Sequence, residues 1–83
     1  TRGLAVDEAR RGITVNAVMP GYTRTERLFE VGFDEKGAAA KVPAGRIGEP
    51  EEFASVVTFL CSNGAAYVNG QAVAVDGAAS QSI

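Results

Sequence analysis

The fold is decided by residues 12–25, which read Gly-Ile-Thr-Val-Asn-Ala-Val-Met-Pro-Gly-Tyr-Thr-Arg-Thr. The β-branched residues and low polarity of 13–18 predict a strand covered on both faces, as in a parallel sheet. Pro20 and Gly21 end that strand, because proline has no amide hydrogen and glycine opens backbone conformations closed to other residues. Loops that leave the carboxyl ends of parallel strands form the ligand crevice of such sheets. We therefore expect a bound molecule beside residues 19–25.

Helices and a second strand flank this stretch. Residues 1–11 end in two arginines, which predicts the end of a helix, and Gly12 supplies its left-handed cap. A proline, two glutamates and apolar residues at helical spacing predict a second helix over 50–62. The apolar run 71–75 predicts a second strand. A strand, a helical connection and another strand form the crossover unit of a parallel sheet, so we expect an α/β fold.

The segment 26–47 has no long periodic run. Glycines interrupt it, and Asp34 is placed to cap a short helical turn that reaches Ala40. We interpret 26–47 as a lid segment. Two single residues carry further expectations: Asn16 should be buried and hydrogen-bonded, and Cys61, on the apolar stripe of the second helix, should lie in the core.

Composition excludes several classes of function. The 83 residues carry 8 basic and 10 acidic side chains, a net charge of -2, without the basic cluster of a nucleic-acid-binding protein. No apolar run approaches the roughly 20 residues that cross a bilayer. We expect a soluble, cytoplasmic protein with no nucleic-acid or membrane partner.

Histidine is absent, and there is one cysteine. These counts exclude Ser-His and Cys-His nucleophilic pairs and imidazole ligands within these residues, and we expect no metal site. The protein has no initiator methionine and no capped start to its first helix, so we expect it to be the carboxyl-terminal part of a longer protein.

Polar groups converge after the first strand, at Pro20, Gly21, Thr23 and Thr25. An ordinary turn explains this pattern as well as a binding loop does, and both interpretations stay open on the pattern alone. Tyr22, the two glutamates that follow Pro50, and the scattered arginines have structural explanations that are simpler than catalytic ones.

The sequence resembles the carboxyl-terminal third of the short-chain dehydrogenase/reductase family, most closely its bacterial 3-oxoacyl-acyl-carrier-protein reductases. Three ordered segments carry the resemblance: Leu4-Ala5 with Glu8 and residues 12–25, then 43–52 with Phe59-Leu60 and Ser62, then 67–71 with 75–77. One departure is Ala78, where the family often has a second glycine. The resemblance implies a single Rossmann-like domain with a doubly wound parallel sheet, of which residues 1–83 form the carboxyl-terminal fragment.

The resemblance also implies an oxidoreductase that transfers a hydride between NAD or NADP and a carbonyl or alcohol substrate. Pro20 and Gly21 would form the wall beside the nicotinamide, while the Thr23 backbone and the Thr25 hydroxyl would hold its carboxamide. Substrate, including acyl compounds, would lie under the lid against Tyr22, Leu28, Phe29 and Phe33. The family's catalytic tyrosine and lysine would lie just before Thr1 and its serine is also missing, so we expect the 83 residues alone to be inactive.

Assembly is the remaining expectation. The resemblance implies a homo-oligomer, a dimer or tetramer, in which the last helix and strand pack against another copy. A competing hypothesis is that these residues form a non-catalytic unit for assembly, since two strands alone leave open edges that recruit partners. The missing amino-terminal part of the same protein is the other expected partner.

Overall fold

The computed structural model describes residues 1–26 and 32–81. Its helices and strands, in sequence order, are α1 (Arg2–Glu8), β1 (Ala17–Pro20), α2 (Glu35–Lys41), α3 (Pro50–Leu60) and β2 (Ala72–Val75). Short 3-10 turns follow α1, α3 and β2, at Ala9–Arg11, Asn63–Ala65 and Ala79–Gln81. No helix in the described ranges is long and apolar enough to cross a membrane.

β1 and β2 are parallel neighbours, with Ala17 opposite Ala72 and Pro20 opposite Val75. α3 lies in the connection between them and contacts both strands. The expected strand, helix and strand crossover is therefore confirmed, and with it the α/β fold class. The left-handed cap is confirmed as well, because Gly12 has a φ of 74°.

The first strand is displaced from its predicted position: it covers Ala17–Pro20 rather than 13–18. Pro20 lies opposite Val75, and in a parallel ladder a residue in that position is not itself bonded to the residue it faces. The residues on either side of Pro20 bond to Val75 instead, so the missing amide of the proline does not break the ladder. The Gly21 amide accordingly donates to the Val75 carbonyl at 3.0 Å. The second strand and the long helix differ from their predicted bounds by only one or two residues.

Two asparagines explain why the residues before Ala17 are not in the ladder. The Val15 amide donates to Oδ1 of Asn69 at 2.9 Å. Asn16 donates from Nδ2 to the Val68 carbonyl at 3.1 Å and accepts at Oδ1 from the Gln71 amide at 3.0 Å. Asn16 has the hydrogen bonds that we expected, although it is partly rather than fully buried. These side chains set the register in which β1 meets β2.

The buried apolar residues are mostly small. They are at most 7% exposed and comprise Ala5, Ala38, Val42, Ile47 and Ala65. The expectation that Cys61 lies in the core is wrong, because its side chain is exposed just past the end of α3. The described residues place only two strands against α3, and they do not cover the whole apolar stripe of that helix.

α2 begins where the sequence predicted a cap. The Asp34 carboxylate accepts a hydrogen bond from the Gly37 amide at 3.2 Å, which satisfies one of the amides left without a partner at a helix start. Glu35 lies in the first turn and Lys41 in the last, each with the sign that the helix dipole favours. The predicted short helical turn is confirmed and extends one residue further, to Lys41.

Candidate functional site

The loop of residues 20–25 leaves the carboxyl end of β1 directly against the exit of β2. A Cβ on Gly21 would lie 2.6 Å from Cβ and 2.8 Å from Cα of Asp76, so only glycine permits this approach. The Asp76 carboxylate accepts hydrogen bonds from the Ala78 and Ser80 amides at 3.0 and 3.1 Å. The hydrogen bonds with Ser80, followed by that with Ala78, lower the pKa of Asp76. Asp76 therefore completes its own turn.

The residues on either side of Thr23 form backbone hydrogen bonds with Gly48. The Gly48 amide donates to the Tyr22 carbonyl and the Arg24 amide donates to the Gly48 carbonyl, both at 2.8 Å. In a parallel bridge of this kind the central residue turns its own N–H and C=O away from the partner. The Thr23 backbone is thus presented to the opposite side, while its hydroxyl donates to the Gly21 carbonyl at 3.3 Å.

A groove of about 400 Å³ lies along this loop. Its lining is mostly apolar and consists of Pro20, Gly21, Tyr22, Thr23, Thr25, Pro50 and Phe53. All four residues that the sequence singled out for cofactor binding lie together here. Sequence reasoning gave Pro50 and Phe53 only a helical role, although a helix that starts beside the loop brings its first turn to the groove.

The substrate residues expected from the resemblance are placed only in part. The Tyr22 ring lies against Phe33, with centroids 5.5 Å apart and ring planes tilted by 40°. Leu28 and Phe29 lie outside the described residues. Tyr22 is 45% exposed and also lines the groove, so it joins the loop to the start of the lid segment.

Arg24 binds two carboxylates on two different helices. Its Nη1 and Nη2 donate to the two carboxylate oxygens of Glu35 at 2.6 and 2.9 Å, and its Nε donates to Glu49 at 2.9 Å. The hydrogen bond with Glu35, followed by that with Glu49, raises the pKa of the guanidinium. No local pattern marks this role, because the partners lie 11 and 25 residues away in the sequence.

A second bidentate pair stabilises the start of α3. Arg46 donates to the two carboxylate oxygens of Glu52 at 2.7 and 2.8 Å, and Glu52 also accepts from the Glu49 amide at 2.9 Å. With Glu49 as the N-cap, this arrangement forms a capping box. The Arg46 hydrogen bonds, with the Glu49 amide second, lower the pKa of Glu52 to about 2.

The geometry suits a flat, polar-edged ligand on an apolar bed. Thr23 and Thr25 bring polar groups to its lining, and the remaining walls include prolines and aromatic rings. Within 1–26 and 32–81, no group of three or more cysteine, aspartate or glutamate side chains is placed to hold a metal ion.

Comparisons with known proteins agree with this architecture. The family model described as Enoyl-(Acyl carrier protein) reductase matches residues 1–80. The 3-oxoacyl-[acyl-carrier-protein] reductase FabG of Vibrio harveyi is 44% identical over 78 residues, which cover 93% of this chain and 32% of that protein. The protein thus spans about a third of the length of the curated relatives it matches.

Solved structures give the same result. YwfH, described as an NADPH dependent reductase involved in bacilysin biosynthesis, superposes with a TM-score of 0.89 at 31% identity and covers 99% of this chain and 35% of its own. A protein from Agrobacterium tumefaciens assigned as a 2-deoxy-D-gluconate 3-dehydrogenase, with bound NADP, has a TM-score of 0.88 at 38% identity. The match covers 98% of this chain and 34% of the Agrobacterium chain. The sequence, the parallel crossover and these matches together show that the chain belongs to the short-chain dehydrogenase/reductase family.

Proposed function

We propose that these residues are the carboxyl-terminal part of a single Rossmann-like domain in an NAD(P)-dependent oxidoreductase. The reaction is hydride transfer between the nicotinamide cofactor and a carbonyl or alcohol substrate. The observation that carries the proposal is the convergence of Pro20, Gly21, Thr23 and Thr25 on one groove at the carboxyl end of β1. Crevices at this end of parallel strands are where such folds bind ligands.

The groove's groups match a nicotinamide carboxamide, which has both a donor and an acceptor. The Thr23 N–H and C=O point away from Gly48 and offer the complementary pair, and the Thr25 hydroxyl supplies a further partner. Pro20 and Gly21 form the wall beside the ring. The cofactor would donate or accept the hydride, and the residues described above would bind and orient its ring.

The lid segment, residues 26–47, covers the substrate in this proposal. Tyr22 and Phe33 form an aromatic edge at its start, and Leu28 and Phe29 add apolar side chains from the part outside the described residues. Such a surface suits an apolar or acyl substrate. The reductase of Vibrio harveyi, whose name specifies an acyl group on a carrier protein, supports that substrate class.

The cofactor is NAD or NADP. Support comes from the names of two similar structures, one NADPH dependent and the other with bound NADP. The residues that select between the two cofactors precede this segment in the family. We further propose a cytoplasmic homo-oligomer, a dimer or homotetramer, in which α3 and β2 form a subunit interface.

The proposal is tested by Thr25→Val in the full-length protein that carries this segment. Loss of the proposed hydrogen bond between the Thr25 hydroxyl and the carboxamide, worth about 1 kcal/mol, should raise the Kd of NADPH or NADH about fivefold in a fluorescence titration. The matched control is Thr14→Val, because Thr14 lies before β1 and is absent from the groove's lining. Equal affinity in the Thr25 variant and the wild type would contradict the assignment.

An assembly unit without catalysis is the second candidate function. It is favoured by the exposed apolar side chains of α3, among them Val57 and Phe59. The intact mass of the purified polypeptide, with a peptide map of whatever precedes Thr1, separates the two. A Tyr-x-x-x-Lys just before Thr1 supports the oxidoreductase, whereas a mass of 8.6 kDa contradicts it and favours assembly.

A further inference from the structure

Two side chains of the groove's loop contact the lid segment beside the start of α2. Tyr22 packs on Phe33 and Arg24 binds Glu35, and between them Thr23 is held by the backbone of Gly48. The three-residue stretch 22–24 therefore contains Thr23 and also makes both contacts with the lid segment. A displacement of residues 33–35 would pull on the residues that flank Thr23.

Arg24 is the stronger of these two attachments. Its guanidinium makes two parallel bonds to Glu35, in the first turn of α2, and a third bond to Glu49, the N-cap of α3. Because the guanidinium is planar, these three bonds fix its orientation relative to the carboxylates as well as its distance from them. The loop is thereby fastened to the starts of two helices, one within the lid segment and one just after it.

We propose that Arg24 is a positioning residue for the cofactor groove, which holds the loop of Thr23 and Thr25 in register with the lid segment. This inference rests on the proposed function of the groove. Arg24 does not line the groove, so its effect on binding passes through the loop. The side chains of Arg24, Glu35 and Glu49 are between 38% and 45% exposed, so solvent screens these pairs and each contributes little to stability.

A charge effect and a positioning effect predict opposite results for Glu35. If the cluster acted only through its field, removing the Glu35 carboxylate would make the region less negative and tighten the binding of an anionic cofactor. If Arg24 positions the loop, Glu35→Gln removes the attachment and weakens binding, as Arg24→Gln does. The sign of the Glu35 effect therefore decides between the two.

The test uses the full-length protein that carries this segment and compares Arg24→Gln, Glu35→Gln and the double variant. The probes are NADPH and NADH in fluorescence titrations, with trypsin cleavage after Lys36 as a second readout of the lid. We expect each single variant to raise the cofactor Kd about threefold and the double variant to raise it no more than Arg24→Gln does, because both single variants already break the Arg24–Glu35 pair. Cleavage after Lys36 should speed up in all three.

The matched control is Arg46→Gln. Arg46 makes the same bidentate pair with a carboxylate at a helix start, but with Glu52 of α3 rather than with a residue of α2. The control should lower the thermal midpoint and leave the cofactor Kd and the cleavage after Lys36 unchanged. Arg24→Lys keeps the charge without the fork, so it should give an intermediate Kd, and it replaces Arg24→Gln if the latter fails to fold.

Wild-type affinity and wild-type cleavage in both single variants would overturn the inference. Tighter binding in Glu35→Gln would overturn it too, because only the field of the cluster would then matter. Failure of the wild type to bind either nucleotide is a different result, which contradicts the proposed function and leaves cleavage after Lys36 to show whether Arg24 holds the lid.

Discussion

The two attachments of the groove's loop differ in what holds them. On the sheet side, Gly21 lies against the backbone of Asp76 so closely that no side chain fits between them, and its amide is bonded to the Val75 carbonyl. On the lid side, Arg24 binds the carboxylate of Glu35 through a half-exposed fork. The sheet side is a contact of backbone atoms, whereas the lid side is a contact of long, solvated side chains.

If the proposed function holds, this difference would combine a fixed groove with an adjustable cover. Backbone packing has no alternative rotamers and tolerates little displacement, so it sets the position of the groove. Half-exposed ion pairs contribute little to stability and are weakened by salt, so they would break at little cost if the proposed cover moved. Substitutions on the sheet side should therefore have the larger effects.

Gly21→Ala should have the largest effect. The new Cβ would lie 2.6 Å from Cβ of Asp76, and neither strand exit can shift without disturbing the parallel ladder. Overpacking of this kind should destabilise the full-length protein by about 3 kcal/mol, measured by denaturant unfolding. It should also weaken NADPH binding, since the same turn carries the groove.

Gly3→Ala is the control for that substitution. Nothing lies within 4 Å of a Cβ at Gly3, which is inside α1, so alanine should stabilise by about 0.5–1 kcal/mol. A loss below about 1 kcal/mol for Gly21→Ala would show that the two strand exits can separate, and the contrast with the lid side would disappear.

Ala78→Gly should have a smaller effect of opposite sign. Ala78 has a φ of 73°, a left-handed conformation that costs a residue with a Cβ about 1–2 kcal/mol. Glycine removes that strain but loses more conformational entropy on folding than alanine does. The free energy of unfolding should therefore rise by about 0.5–1 kcal/mol. This is also the position at which the family often has glycine.

Ala66→Gly is the control for that gain. Ala66 has an ordinary φ of -60°, so glycine there should destabilise the protein. If both variants lost stability, Ala78 would carry no strain, and the terminal turn beside Gly21 would be held less rigidly than its geometry indicates. A gain at Ala78 alone confirms that backbone geometry controls this side of the groove.

Local signals made part of this architecture predictable from the sequence. The glycine cap after the first helix, the Asp34 cap and the proline at the start of α3 act within one helical turn, so their residues alone indicated the structure. The convergence of polar groups after β1 followed from strand direction. The family resemblance then gave these groups their proposed roles.

Other features depend on distant parts of the sequence and could not be predicted from local pattern. β1 starts at Ala17 because Asn69 and other residues more than 50 positions away bind the residues before it. Arg24 looked like a scattered surface charge, and only the fold brings it to Glu35 and Glu49. Cys61 followed the apolar stripe of α3, but the elements that the described residues place around that helix leave it exposed.

Glu52→Gln should have the smallest effect, and its dependence on pH identifies it. The pKa of Glu52 is lowered from 4.5 to about 2, chiefly by Arg46, so the pair stabilises the folded protein above pH 4.5 and this contribution is lost as the pH falls toward 2. Glutamine at position 52 can still accept the hydrogen bond from the Glu49 amide, so the substitution removes only the negative charge. The thermal midpoint of the variant should therefore lie slightly below that of the wild type at pH 7 and converge with it near pH 2.

Glu51→Gln is the matched control, because it removes a carboxylate from the same turn of α3 without touching the Arg46 pair. The difference in thermal midpoint between Glu51→Gln and the wild type should change less with pH than the difference between Glu52→Gln and the wild type. A difference for Glu52→Gln that stays constant from pH 7 to pH 2 would mean that the Arg46 fork contributes no charge-dependent stability. The Arg46 fork would then only orient the start of α3, and its effect would be smaller still than that of the backbone contact at Gly21.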